Sequence, residues 1–234
     1  MKSLGIIGGL GAGVTAEFYL RVVFDMQRLD NEHRPLVVIS NVPVPYQTER
    51  ECILENKNID KYIPLLTTEA KRLEIAKVDF LVMPCNTLHL HINAIRESVK
   101  IPVLSIVEET VSYIQKHGYK KVGLVSTMAT VQNCVYETIL NREKIDFVVP
   151  SDSEQQQMCE IIKRLINGEY NNHDREYLEQ VIKNLEAQGA DAIALACTDL
   201  QLLKPKSDTI PVFDTMGILA DSAVEKMVTD PAVR

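Results

Sequence analysis

The sequence predicts an α/β protein built from two similar parallel-sheet domains, and three observations predict it. Short apolar, β-branched runs alternate with longer segments whose apolar residues recur at helical spacing, as in βαβ units. A stretch of the first half recurs in the second with its landmarks in the same order. The 234 residues are 46% hydrophobic and 24% charged, an ordinary globular composition. At roughly 100–200 residues per domain, that length allows one large domain or two small ones.

The elements follow in chain order. Leu4–Gly8 reads as the first strand, and Thr15–Leu29 carries Ala16, Tyr19, Val22, Val23 and Met26 at helical spacing. Leu36–Ser40 is a second strand, closed by Pro43 and Pro45, which cannot continue a central strand. Ile59–Ile75 has a helical pattern, with Pro64 tolerated only in the first turn. Phe80–Pro84 is a third strand and Thr87–Val99 a helix. After Ile101–Leu104 the pattern restarts with a helix at Glu108–Lys116, Gly118 as its stop signal and a strand at Lys121–Val125. The run Asp152–Gln157 reads as a solvated helix start, and Met216–Val228 as a C-terminal helix.

The repeat sets the domain border. VDFLVMPCNTLHL (78–90) lines up with ADAIALACTDLQL (190–202), an offset of 197 − 85 = 112 residues between the two cysteines. Ile101–Leu104 echoes Ile210–Phe213, and Gly5–Gly8 loosely echoes Gly123–Ser126. With the C-terminal helix crossing back onto the first half, the expected domains are 1–99 plus 213–234, and 100–212.

Composition narrows the function classes. With 25 Lys+Arg against 32 Asp+Glu, the net charge of −7 argues against nucleic-acid binding, which needs clustered cations. No apolar run reaches about 18 residues, so no membrane-spanning helix is expected. The opening MKSLGIIGGLGAG loosely imitates a signal peptide, yet its glycines and the amphipathic segment behind it read better as a buried strand entering a turn. The five cysteines (52, 85, 134, 159 and 197) are widely spaced and form no C-x-x-C. That pattern excludes a disulfide scaffold and a zinc ribbon and leaves a reduced cytoplasmic enzyme as the default.

Cys85 and Cys197 each end a predicted buried strand, where open parallel sheets bind their ligands. Each is followed by a residue suited to N-capping, Asn86 or Thr198, and a thiol at a helix N-terminus favours thiolate. Two such thiols, one per half, suit the removal of a proton from one face of a carbon and its return to the opposite face. Cys52, Cys134 and Cys159 end no predicted strand and read as packing residues.

GIIGGLGAGVTAEFY, MPCNTLH and ACTDL resemble the aspartate/glutamate racemase family, most closely its aspartate racemases, and KKVGLVSTMATVQNCVYE extends the likeness. The resemblance implies two α/β domains related by a pseudo-twofold, an active site in the cleft between them, no cofactor and no metal, a small amino-acid substrate and a homodimer. It implies Cys85 and Cys197 as the catalytic acid/bases. Asn86, Thr87 and Leu88 would hold the substrate carboxylate, largely through backbone N–H groups, with Thr15, Thr127, Thr130 and Thr198 as further polar contacts. The chain departs from the family's pattern at four places, the mildest being Gly9-Leu10-Gly11-Ala12 in place of the family's GGMGP turn. Gln47 stands where aspartate racemases often carry an arginine, with Arg50 three residues on. Asp199 follows Thr198 where glutamate is usual. Lys163 is nearest to a family lysine, although ungapped alignment puts Asn167 there.

The acidic amino acids, aspartate first and glutamate second, are the expected substrates; a broad-specificity racemase of non-acidic amino acids and a non-catalytic small-carboxylate binder are the alternatives. Gly11–Ala16 also satisfies a loosened G-x-G-x-x-[GA] pattern, but the next strand ends at Ser40-Asn41, without the acid that a dinucleotide site needs. His89, four residues after Cys85, shares its helical face and is a supporting candidate beside Asp199. His89 and His91 with one cysteine lack the second ligand pair of a zinc site.

Overall fold

A strand that is apolar along its whole length must be covered on both faces, and parallel sheets are the architecture that does so. The computed structural model describes residues 1–228, apart from the side chains of residues 50 and 53–55. The chain runs β1 (Leu4–Gly8), α1 (Ala12–Leu29), β2 (Val37–Asn41), α2 (Tyr46–Glu55), α3 (Tyr62–Ile75), β3 (Phe80–Val82), α4 (Ile92–Ser98) and α5 (Ile106–His117). It continues through β4 (Lys121–Ser126), α6 (Met128–Gln132), α7 (Glu137–Arg142), β5 (Asp146–Val148), α8 (Asp152–Asn167), α9 (Asn172–Ala187), β6 (Ala192–Ala196), β7 (Val212–Asp214) and α10 (Thr215–Val228). Short 3₁₀ turns occupy Ile59–Lys61, Thr87–His91 and Leu200–Leu203.

Two parallel sheets result, ordered β2-β1-β3 and β5-β4-β6-β7. Strands β1, β3 and β6 are buried at every position. In the second sheet α8 and α9 supply Met158, Ile161, Ile162, Leu178, Val181, Ile182 and Leu185, which pack with Val125, Ile193 and Leu195 of the strands. A capping box starts each of these helices, Ser151 with Glu154 and Asn171 with Asp174, and Arg164 of α8 pairs with buried Asp174 of α9. That guanidinium holds the Asp174 carboxyl below its ordinary range. No helix among the described residues is long and apolar enough to cross a membrane.

The repeat is a repeat of hydrogen bonds as well as of letters. Leu81 N–H donates to Pro102 O and Ile193 N–H to Pro211 O, each at 2.9 Å. Around Ile101–Leu104 the first sheet keeps only a single bridge, Leu81 with Val103, where the second has all of β7. Asp79 accepts from Ser3 N–H at 2.6 Å and Asp191 from Lys120 N–H at 2.7 Å, so the two aligned aspartates tie the starts of neighbouring strands. Gly5 pairs with Leu81 and Gly123 with Ile193. A β-carbon would sit 2.6 Å from the Leu81 side chain at the first position and 2.5 Å from that of Ile193 at the second. Leu73 of α3 and Leu185 of α9 come within 3.4 and 3.2 Å of the same points. Each glycine thus lets a helix lie directly on a central strand.

The described chain divides into two compact units, one of Met1–Tyr46, Asp60–Glu109 and residues 216–228, the other of Gln47–Ile59 and Thr110–Thr215. The first unit takes in the chain as far as Glu109, inside α5. The segment Gln47–Ile59 joins the second unit although the chain on either side of it belongs to the first. It forms α2 and is fastened to the end of α6: Asn56 Nδ2 donates to Gln132 Oε1 at 2.9 Å, and Asn133 Nδ2 to Asn56 Oδ1 at 2.7 Å. The helix expected over Thr87–Val99 is split into a 3₁₀ turn and α4.

Gly123→Ala should cost about 1–3 kcal/mol in urea unfolding, as overpacking does. Gly13→Ala, in α1 with nothing within 4 Å of the added carbon, should be neutral or gain up to about 1 kcal/mol. Equal midpoints for the two variants would refute the close-packing argument.

Candidate functional site

In each unit a buried thiol stands just past the carboxyl end of a sheet strand. Cys85 comes three residues after β3 and Cys197 directly after β6, with 8% and 6% of their surfaces exposed. None of the five cysteines, all among the described residues, forms a disulfide.

In the first unit Ile6 of β1 pairs with Val82 of β3, so the β1–α1 turn and the Cys85 segment leave the same sheet edge. Thr15 closes that turn: its Oγ1 accepts from Gly9 N–H and donates to Gly11 O, both at 3.0 Å. Gly9 and Gly11 have φ of +79° and +94°, which suits glycine. Asn86, Thr87, Leu88 and His89 are all buried behind Cys85. Cys85 N–H donates to Met83 O at 2.8 Å, and His89 N–H to Asn86 O at 3.0 Å.

His89 has a defined chemical state. Its Nδ1 lies 2.6 Å from the Cys85 carbonyl oxygen, which can only accept, so Nδ1 carries the hydrogen. Its Nε2 accepts from Ile106 N–H at 3.0 Å. Burial pushes the imidazole pKa down to about 4, and Arg96 adds to this, while the Cys85 carbonyl and Glu108 oppose it. The ring is neutral and engages the Cys85 backbone.

In the second unit Ser126 pairs with Ala196, so Thr127 and Cys197 step off adjacent strands side by side. Thr127 caps α6, its Oγ1 accepting from Thr130 N–H at 3.1 Å and lying 2.9 Å from Thr130 Oγ1; both threonines are buried, as is Thr198. Cys197 Sγ lies 4.0 Å from Asp199 Oδ2. The expectation of helix N-termini behind both thiols needs correction. Five- and four-residue 3₁₀ turns follow them, and one turn of misaligned peptides carries little macrodipole. Asp199, and not Thr198, holds the N-cap position of the second turn, and the Asn86 side chain makes no capping bond.

Two further candidates are engaged elsewhere. Gln47 is exposed on α2 and donates from Nε2 to Glu51 Oε1 at 2.9 Å. Lys163 lies on the exposed side of α8, 3.8 Å from Glu160. The Arg50 side chain lies outside the described residues. Sequence reasoning missed Thr215, fully buried, whose Oγ1 donates to Leu195 O at 3.0 Å and braces β6 two residues before Cys197. A hydroxyl at the first position of an apolar helix was the available signal. Among the described residues no group of three or more His, Cys, Asp or Glu is placed to hold a metal ion.

Comparison with known proteins converges on one family. The family described as Asp/Glu/hydantoin racemase matches residues 7–223. The broad specificity amino-acid racemase RacX of Bacillus subtilis (strain 168) is 30% identical over 226 residues, covering 94% of this chain and 96% of that protein. The Picrophilus torridus aspartate racemase has a similar structure, with a TM-score of 0.78 and 28% identity, over 97% of this chain and 94% of that one. So does an aspartate racemase homologue from Pyrococcus horikoshii OT3, with a TM-score of 0.78 and 26% identity, over 97% and 99% of the two chains.

The state of His89 makes stability depend on pH. Its folded pKa lies below the ordinary 6.5, so the neutral ring's contribution is whole above about pH 6.5 and is lost as pH falls towards 4. The melting temperature of the protein should fall more steeply over this window than that of His89→Asn, and parallel slopes would show that the ring is not held neutral.

Proposed function

Because the chain belongs to the Asp/Glu/hydantoin racemase family, and is thereby an isomerase of the amino-acid racemase class, we propose that it inverts amino acids by two-base proton transfer between Cys85 and Cys197, without pyridoxal phosphate. The equivalence of the two cysteines carries this reading: they are aligned in the repeat, both buried, both just beyond the end of a sheet strand. The thiolate of one takes the α-proton, and the C–H electron pair stays briefly on the α-carbon. The thiol of the other gives its proton to the opposite face, leaving a thiolate, so the two exchange states on each turnover.

The α-proton is weakly acidic, and the developing carbanion requires aligned donors at the carboxylate. Backbone N–H groups of Asn86, Thr87 and Leu88 supply them, with the hydroxyls of Thr15, Thr127, Thr130 and Thr198 as further contacts. Asp199 Oδ2 lies 4.0 Å from the Cys197 sulfur and is placed to accept its hydrogen. Reduced thiols of this kind suit the cytoplasm, and a homodimer is the assembly implied by the resemblance.

Aspartate and then glutamate are the first substrates of this reading. A second reading, a broad-specificity racemase of non-acidic amino acids, is favoured by Gln47. It cannot offer the charged fork of an arginine, and its amide is already held by Glu51. RacX, named for broad specificity, is similar over nearly the whole length.

α-Hydrogen exchange in D₂O, followed by NMR over a panel of L- and D-amino acids without added pyridoxal phosphate, tests both. Exchange with inversion confined to aspartate or glutamate supports the first reading, and exchange on neutral or basic amino acids supports the second. Cys85→Ala and Cys197→Ala should each lower inversion by at least about 10²–10⁴-fold, the scale of one acid/base group. Inversion at the normal rate in either variant would sink the two-thiol mechanism. Asp199→Asn should raise the alkylation rate of Cys197 by iodoacetamide near neutral pH, and an unchanged rate would remove Asp199 from the scheme.

A further inference from the structure

We propose that His89 is the positioning residue for Cys85: as a neutral Nδ1–H imidazole it locks the peptide between Cys85 and Asn86 and ties it to the first residue of α5. The inference rests on the two-thiol reading above and deepens it.

The peptides on both sides of the Cys85 α-carbon are held. The N–H of Cys85 donates to Met83 O at 2.8 Å, and its carbonyl accepts from His89 Nδ1 at 2.6 Å. With the backbone fixed at both ends, the sulfur moves along one torsion, χ1. A second consequence follows from peptide planarity. No peptide bond among the described residues is cis, so the Asn86 N–H points opposite to the Cys85 carbonyl. Drawing that carbonyl onto His89 therefore turns the Asn86 N–H the other way, and this N–H is one of the proposed carboxylate donors. One ring sets both the platform of the sulfur and the direction of a donor beside it.

The far side of the ring is fixed as well. Ile106 N–H opens α5, and rotating the imidazole would leave that buried donor unanswered. Protonation would break the same bond, since imidazolium has only donors. In the second unit Gln201 occupies the aligned position after Cys197, and the Cys197 carbonyl accepts from Leu200 N–H at 3.1 Å.

The test combines one spectroscopic and two chemical readouts. In the wild-type protein, long-range ¹H–¹⁵N NMR should show His89 as the Nδ1–H tautomer, unprotonated between about pH 5.5 and 8, the range below which burial lets it titrate. The Nε2–H tautomer, or an imidazolium in that range, would overturn the proposal whether or not any variant folds. His89→Asn keeps a donor near the Nδ1 position, whereas His89→Leu fills the space with none. Compared at equal folded fraction, Asn should lose less than about threefold in kcat/KM and Leu at least about tenfold, the scale of a displaced catalytic group. The rate of Cys85 alkylation by iodoacetamide, read by peptide mass, should follow the same order. Equal losses in both variants would make His89 a packing residue and refute the proposal. If the wild-type protein exchanges no α-hydrogen, the racemase reading fails on that readout, while the tautomer and the alkylation rates still decide the role of His89.

Discussion

The placement of both buried thiols depends on the parallel pairing of a central strand with the strand that carries the cysteine: β1 with β3, and β4 with β6. Register decides which residues step off the sheet together, and one residue of slip would turn Cys197 and Thr127 away from each other. Gly5 and Gly123 let helices lie flat on the central strands, and Asp79 and Asp191 fix the opposite ends. These features lie away from the thiols, yet they hold the strands on which the thiols are mounted.

The two units repeat the scaffold without repeating the electrostatics. Cys85 is backed by a neutral imidazole that handles its carbonyl, while Cys197 has a carboxylate 4.0 Å from its sulfur. The proposed two-base inversion starts from one thiolate and one thiol, and unequal surroundings suit that proposal better than a symmetric pair. Behind both thiols stand short 3₁₀ turns, which offer local N–H groups and no long helix dipole.

Much of this was legible in the sequence, for identifiable reasons. Strands β1, β3 and β6 are buried on both faces and stand out as apolar runs, and the 112-residue offset survives because both halves need the same small and branched residues around the same hydrogen bonds. Helix α2 was not legible: its one described buried apolar side chain is Cys52, so it shows no apolar stripe. Its place in the second unit comes from an amide contact, Asn56 with Gln132 and Asn133, between residues about 76 apart in sequence. The split of Thr87–Val99 escaped for a related reason, since apolar spacing does not distinguish a 3₁₀ turn from the first turn of an α-helix.

The sequence by itself determined the two-unit α/β plan, the pair of cysteines at strand ends and the membership that follows from them, because burial on parallel strands leaves a pattern readable one residue at a time. Only the tertiary structure decided what each polar side chain does. His89 became a neutral brace because Ile106 arrives at its far side, Gln47 and Lys163 are engaged by Glu51 and Glu160, and Asp199 rather than Thr198 starts the turn after Cys197. A polar group's role is set by the donor or acceptor brought within about 3 Å of it, and that partner is chosen by the fold.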